Sequence, residues 1–269
     1  MGRMRHFVSD LYAQLWDSAC LQDKRLLDVR VHLPGEGFKG GTMEEAALSP
    51  QVSIVMTERH EGDAQQSLQR INARRAACGL AAASLLSLRQ VAEQAYDDAC
   101  YYLEEDYGHE EPLTFNSVAC GGTFDNLHSG HKKLLTAAAS CCKLSGILTV
   151  GVTADAMLTS KKLSHLIDGS AARIAAVASF LDDIRPGLRH RVVVIDDPFG
   201  PPAYEPEFEA IVVSSETIKG AHKINSMRAE RAFKPLKVAV TRRTEAASLC
   251  SSTLRNCIAA QQQSQQQHQ

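Results

Sequence analysis

Hydrophobic and polar positions follow two different rhythms along this chain, and the change falls near Glu110–Pro112. Past that point the rhythm is regular. The runs SVACGG (117–122), GILTVGV (146–152), RVVVI (191–195), AIVVS (210–214) and LKVAVT (236–241) are short and apolar on both faces, as strands buried between two helical layers must be. Between and after them lie stretches with helical periodicity at 131–142, 170–184, about 222–233 and 252–260. In 170–184, Ile174, Val177, Ala178, Leu181 and Ile184 share one face. Strand and helix alternating in this way predict an α/β domain with a doubly wound, parallel, five-stranded sheet.

Before residue 112 the pattern is irregular. LLDVRVHL (26–33) and QVSIVMTE (51–58) read as strands around a glycine-rich loop, GEGFKGG, with helices at about 63–76 and 86–105. The acidic run EEDYGHEE that closes the second helix reads as a solvated helix end and linker. The organisation expected is an additional α/β region over 1–112 without a chemical constellation, a catalytic-type domain over 113–260, and a disordered polar tail, 261–269.

Composition narrows the classes. With 269 residues, 44% hydrophobic and 22% charged, the chain is long enough for one large or two modest cores. A net charge of −2 argues against a generic nucleic-acid binder but leaves room for a local basic pocket. The eight cysteines show no CxxC and no zinc spacing, so they read as thiols of a reducing compartment. The start has no secretory core, His6 stands where a myristoylation motif wants Ser or Thr, and the apolar run 76–88 is too short to span a bilayer. The expectation is a soluble, cytoplasmic protein, monomeric by preference, with no membrane or nucleic-acid partner.

The architecture tells where chemistry belongs. In open α/β sheets ligands bind at the carboxyl ends of the strands, near the reversal of strand order. Four polar clusters fall there: GGTFDNLHSGH, TSKKL, SSETIKG and CSSTLR. Gly121 and Gly122 bare the backbone for a phosphate, and a helix starting near Ser129 offers unpaired N–H groups to an anion. His128 and His131, three apart, project to one side of that helix start, and a histidine N–H can stabilise charge that builds in phosphoryl transfer. Alone, such a pair more often describes two satisfied histidines capping a helix. The stretch is neither a Walker loop nor GxGxxG, and it lacks the HExxH pattern of helical zinc sites.

HSGH at 128–131 after GGTFDNL resembles the HxGH signature of the nucleotidyltransferase superfamily, and the longer match is similar to phosphopantetheine adenylyltransferase of the eukaryotic and archaeal type. GVTAD (151–155), the lysine pair in TSKKLSHLI, DDPFGP (196–201), IVVSSETIKGA (211–221), INSMR (224–228) and CSSTLR (250–255) extend it in order from about 115 to 260. Ser215, Ala221 and Cys250 depart from the family pattern, which weakens detail in the adenosine pocket.

The resemblance implies a Rossmann-like fold and transfer of AMP from ATP to 4′-phosphopantetheine, giving dephospho-CoA and pyrophosphate, with Mg2+ carried by ATP and no metal site on the protein. It implies that Gly121, Gly122, Thr123 and Phe124 line the phosphate corner, with Asp125 among the binding residues. His128 and His131 should contact ATP phosphates, and one of Lys161 and Lys162 should neutralise charge, the choice being open. Ser214, Ser215, Glu216 and Thr217 should border the adenosine or the substrate arm, with Asn225 and Arg228 on the next helix and Arg228 an anion contact. Ser251, Ser252 and Thr253 should hold the outer phosphates, assisted by Arg255. No P-loop accompanies the domain, so a single activity is expected. A cytidylyltransferase, a nicotinamide-mononucleotide adenylyltransferase, or a non-catalytic scaffold docking through the N-terminal region are the competing readings.

Overall fold

The computed structural model describes residues 2–21, 28–31, 48, 54–57, 61–87, 114–241 and 251–266. In chain order its elements are α1 (Gly2–Leu21), β1 (Ile54–Thr57), α2 (Glu61–Ala77), β2 (Ser84–Ser87), β3 (Phe115–Gly122), α3 (Ser129–Cys141), β4 (Cys142–Thr153), α4 (Ser170–Ile184), β5 (His190–Ile195), β6 (Ala210–Ser214), α5 (Ile218–Glu230), β7 (Lys237–Thr241) and α6 (Ser251–Gln266). They fall into two compact units, Met1–Val31 with Cys100–Gln269, and His32–Ala99.

The smaller unit contains a strand–helix–strand crossover. β1 and β2 pair in parallel, Ile54 opposite Ser84 through Thr57 opposite Ser87, which requires a helical connection such as α2. Ile71 buries the helix face, and Asn72 exchanges two hydrogen bonds with Ala83 at 2.8 and 3.0 Å. The strand expected at 51–58 and the helix at 63–76 correspond to β1 and α2. β2 lies within the apolar run 76–88, where alanines and leucines gave no period-two signal.

The larger unit is built on an all-parallel sheet in the order β5-β4-β3-β6-β7. The order reverses between β3 and β6, so the ligand edge lies at the carboxyl ends of these neighbouring strands. Val118, Leu148, Val150, Val152 and Val212 are fully buried along the middle strands. Helix α4 turns Val177, Phe180, Leu181 and Ile184 into the core. Ile174 and Ala178 are only half-buried, because Phe180 and Arg173 occupy the innermost positions of that face.

Three expectations change in this unit. Residues 2–21 form α1, whose Trp16 packs on Leu254 of α6 and whose Tyr12 hydroxyl accepts the Val31 N–H at 3.0 Å. The first 31 residues therefore belong with the five-stranded sheet rather than with the rest of the N-terminal region. Asp28–Val31, expected inside a strand, has no regular structure; the remainder of 26–33, the loop GEGFKGG and residues 88–111, including the acidic run, lie outside the described residues. Finally, α6 continues through Gln266, so 261–266 is helical where disorder was expected. Glutamine is a good helix former, and no Gly or Pro interrupts the run.

Candidate active site

The loop after β3 carries unusual backbone. Phe124, Asn126 and Leu127 have φ of 52°, 54° and 30°, the left-handed region that costs non-glycine residues roughly 1–2 kcal/mol each. Side chains hold it there. The Phe124 ring, 1% exposed, lies tilted against His131 with centroids 5.3 Å apart. Asp125 is fully buried; it accepts from Asn126 Nδ2 at 2.9 Å and pairs with Nη1 of Arg255. Burial raises the Asp125 carboxyl pKa, and Arg255 opposes that rise. The Phe124 side chain thus supports His131 from the core and is not exposed at the rim. A Cβ at Gly121 would meet Gly151 O at 3.4 Å and one at Gly122 the Phe124 ring at 3.4 Å, ordinary contacts. The packing therefore leaves room for a Cβ at either glycine.

His128 takes the N-cap position of α3, yet its side chain caps nothing. The two imidazoles stack at 3.8 Å and 24°. His128 Nε2 lies 3.2 Å from Ser251 Oγ at the start of α6. Both Nδ1 atoms are buried and, among the described residues, have no partner. Burial, then the nearby Lys132 charge, lowers the His128 pKa to about 4. Burial, then His128 and Lys161, hold His131 well below its ordinary value. Both rings are neutral near pH 7, and each carries one N–H to donate. The first helical bond of α3 runs from Lys132 N to His128 O, which leaves the N–H groups of Ser129, Gly130 and His131 without helical acceptors.

The lysine pair divides. Lys161 Nζ donates to Thr123 Oγ1 at 2.9 Å, and burial, then Arg255, lower its pKa against the pull of Asp125. Lys162 is exposed and, among the described residues, makes no side-chain hydrogen bond or ion pair; its carbonyl accepts from Arg255 Nε at 3.1 Å. Arg173 joins these loops from below. Buried on α4, it donates to Thr123 O (2.7 Å), Thr153 O (2.9 Å), Asp168 O (2.8 Å) and the Asp155 carboxylate (2.6 Å). No site role was expected for Arg173; an arginine one helical turn before Val177 on an apolar face was the available signal.

Ser214, Ser215, Glu216 and Thr217 stand at the carboxyl end of β6, beside β3. Ser214 and Thr217 are bonded to each other, Oγ to Oγ1 at 3.1 Å, closing the turn. Ser252 is exposed and accepts from Arg255 Nη2 at 3.1 Å. The Thr253 side chain lies outside the described residues.

Two expected residues leave the site. Asn225 bridges Leu236, receiving its N–H at 2.8 Å and donating to its carbonyl at 3.1 Å. Arg228, fully buried, spends its N–H groups on the carbonyls of Lys234, Pro202, Glu205, Pro206 and Phe208 at 2.6–3.1 Å. Phe208 and Leu236 precede β6 and β7, so both residues sit at the amino edge, one five-residue strand, roughly 16 Å, from the rim. With every donor satisfied, Arg228 is no anion contact.

A depression of about 360 Å³ beside the first turn of α3 is lined by Asp28, Arg30, His128, Ser129, Lys132 and Ser179, among others. Its cations are matched: Lys132 pairs with Asp28, and Arg30 with Asp28 at 3.3 Å and Asp183 at 3.1 Å. It offers a phosphate no surplus charge. Among the described residues no group of three or more His, Cys, Asp or Glu side chains is placed to hold a metal ion, and no helix is long and apolar enough to cross a membrane.

A parallel sheet that reverses order beside a stacked HxGH pair, with a serine-opened helix next to it, is the setting in which the chain's family becomes recognisable. The family model described as cytidylyltransferase-like matches residues 119–262, more than half of the chain, and the chain belongs to that family. It is 38% identical over 138 residues to the phosphopantetheine adenylyltransferase of Saccharomyces cerevisiae, covering 51% of this chain and 45% of that protein. It is 37% identical over 124 residues to the enzyme of the same name from Pyrobaculum aerophilum, covering 46% of this chain and 77% of that one. A third, from Pyrococcus abyssi, is 37% identical over 128 residues, at 48% and 79% coverage. The chain thus spans under half the length of the yeast relative and over three quarters of the archaeal ones.

Proposed function

We propose that this chain transfers AMP from ATP to 4′-phosphopantetheine, releasing pyrophosphate and forming dephospho-CoA. A phosphate oxygen of the acceptor attacks the α-phosphorus of ATP. One P–O bond forms there, and the bond to the bridging oxygen breaks, so the electron pair leaves with pyrophosphate. The nucleophile is already an anion, and no side chain has to remove a proton. Catalysis then rests on alignment and on donors aimed at developing charge.

The observation that carries this reading is the convergence at one rim of neutral, stacked His128 and His131, Ser251, and the Lys161–Thr123 pair. His131 and Lys161 are the donors assigned to the α-phosphate region. Thr123, already bonded to Lys161, faces the incoming acceptor phosphate. Ser251 and the free N–H groups at the start of α3 serve the outer phosphates. Mg2+ enters on the triphosphate as part of the substrate.

The test is pyrophosphate release from ATP by the full chain with Mg2+, offered phosphopantetheine, nicotinamide mononucleotide, or phosphocholine with CTP. Release with phosphopantetheine alone is the expected result. Preference for either other acceptor would assign a different member of the family.

A further inference from the structure

We propose that Asp125 and Arg255 form a positioning latch that assembles the triphosphate site without touching substrate. This rests on the triphosphate-binding part of the proposed function. Arg255, 2% exposed, reaches three separate segments: the Asp125 carboxylate in the loop after β3, the Lys162 carbonyl in the loop after β4, and the Ser252 hydroxyl in the first turn of α6. Each partner is adjacent to, or flanked by, a group assigned to the chemistry. Asp125 lies between Thr123 and His128, Lys162 follows Lys161, and Ser252 follows Ser251. One guanidinium therefore fixes the spacing among lysine, histidines and serine.

Two features show why a tether is needed here. Residues on both sides of Asp125 hold left-handed backbone, which persists only where surroundings over-determine it. Asp125 is also a carboxylate inside an anion site, where an unmatched negative charge would repel a triphosphate. Paired with Arg255 it contributes almost no net charge. What remains is geometry: a rigid fork that a lysine cannot reproduce.

The experiment compares full-length wild type with Asp125→Asn and Arg255→Lys, each checked for a native circular dichroism spectrum. Inorganic tripolyphosphate is titrated by calorimetry, and kcat and KM for ATP are measured separately. A lost positioning role lowers kcat by about 10²-fold. It also weakens tripolyphosphate binding about tenfold or more in both variants. The sign is decisive for Asp125→Asn: removing a negative charge from an anion site should otherwise tighten binding, so unchanged or tighter binding overturns the proposal. For Arg255→Lys, retained affinity would make Arg255 a direct cationic contact and also overturn it. Should Asp125→Asn not fold, Arg255→Lys decides alone. Acceptor choice is absent from the tripolyphosphate comparison, so the latch and the assigned reaction fail separately.

Discussion

Two buried arginines occupy opposite edges of one sheet. At the amino edge, Arg228 gives its N–H groups to five main-chain carbonyls that precede β6 and β7 or follow α5. At the carboxyl edge, Arg255 gives its own to a carboxylate, a carbonyl and a hydroxyl on three different segments. Both lie in motifs that resemble the same family, and both read as anion contacts. The difference is what surrounds them. Around Arg228 every polar partner is backbone and nothing is left over. Around Arg255 stand two imidazoles whose Nδ1 atoms have no partner among the described residues, and a lysine whose side chain, among the same residues, bonds to a threonine hydroxyl alone. Saturation with main-chain carbonyls marks scaffold; unspent donors on converging loops mark a site.

The largest effect expected belongs to the scaffold edge. Arg228→Met strands five carbonyls and should cost about 3–5 kcal/mol of unfolding free energy in denaturant titration. The fraction that folds should keep the wild-type KM for ATP. A stable variant with a raised KM would move Arg228 back to the site. At the other edge the currencies invert. His128→Ala or His131→Ala should lower turnover by about 10²–10³-fold, as loss of one transition-state donor does. Stability should hold or rise, because a buried ring nitrogen without a partner leaves the folded state.

The same contrast explains what the sequence could reveal. All five strands of the sheet, the turn into α3 and the helix opened by Ser251 were legible, because burial on two faces and a phosphate-ready helix start each impose residue types at fixed spacing. Arg228 and Asn225 were not separable from ligands by motif alone. Their partners are carbonyls of Leu236, Pro202 and Phe208, and a carbonyl leaves no trace in residue identity. Choosing between Lys161 and Lys162 required the path of the loop after β4. Helix α1 escaped notice because Val8, Tyr12 and Trp16 bury their faces among small and polar residues.

Smaller effects sharpen the comparison. Burial holds His128 neutral with a pKa of about 4, against about 6.5 in the unfolded chain. Between those values the unfolded state binds more protons, so stability falls as pH drops from about 6.5 towards 4 and is fully lost from this source below 4. The loss should be on the order of 3 kcal/mol. Thermal unfolding across that window should show the slope in wild type and a shallower one in His128→Ala; identical slopes would mean the ring is not buried neutral. The smallest contrast divides the lysines. Lys161→Met should slow turnover at least about tenfold, about 1.4 kcal/mol in barrier, while Lys162→Met stays within about threefold, since only Lys161 reaches Thr123. Equal losses would erase the distinction the loop geometry draws.

The most direct measurement labels the α-phosphate of ATP and follows it with phosphopantetheine present, in wild type and in His131→Ala. The label should move to the acceptor in wild type, in step with pyrophosphate release, and about 10²–10³-fold more slowly in the variant. Label that stays on free nucleotide, or a variant that transfers it at the wild-type rate, would contradict the assigned reaction and the role of the histidine pair.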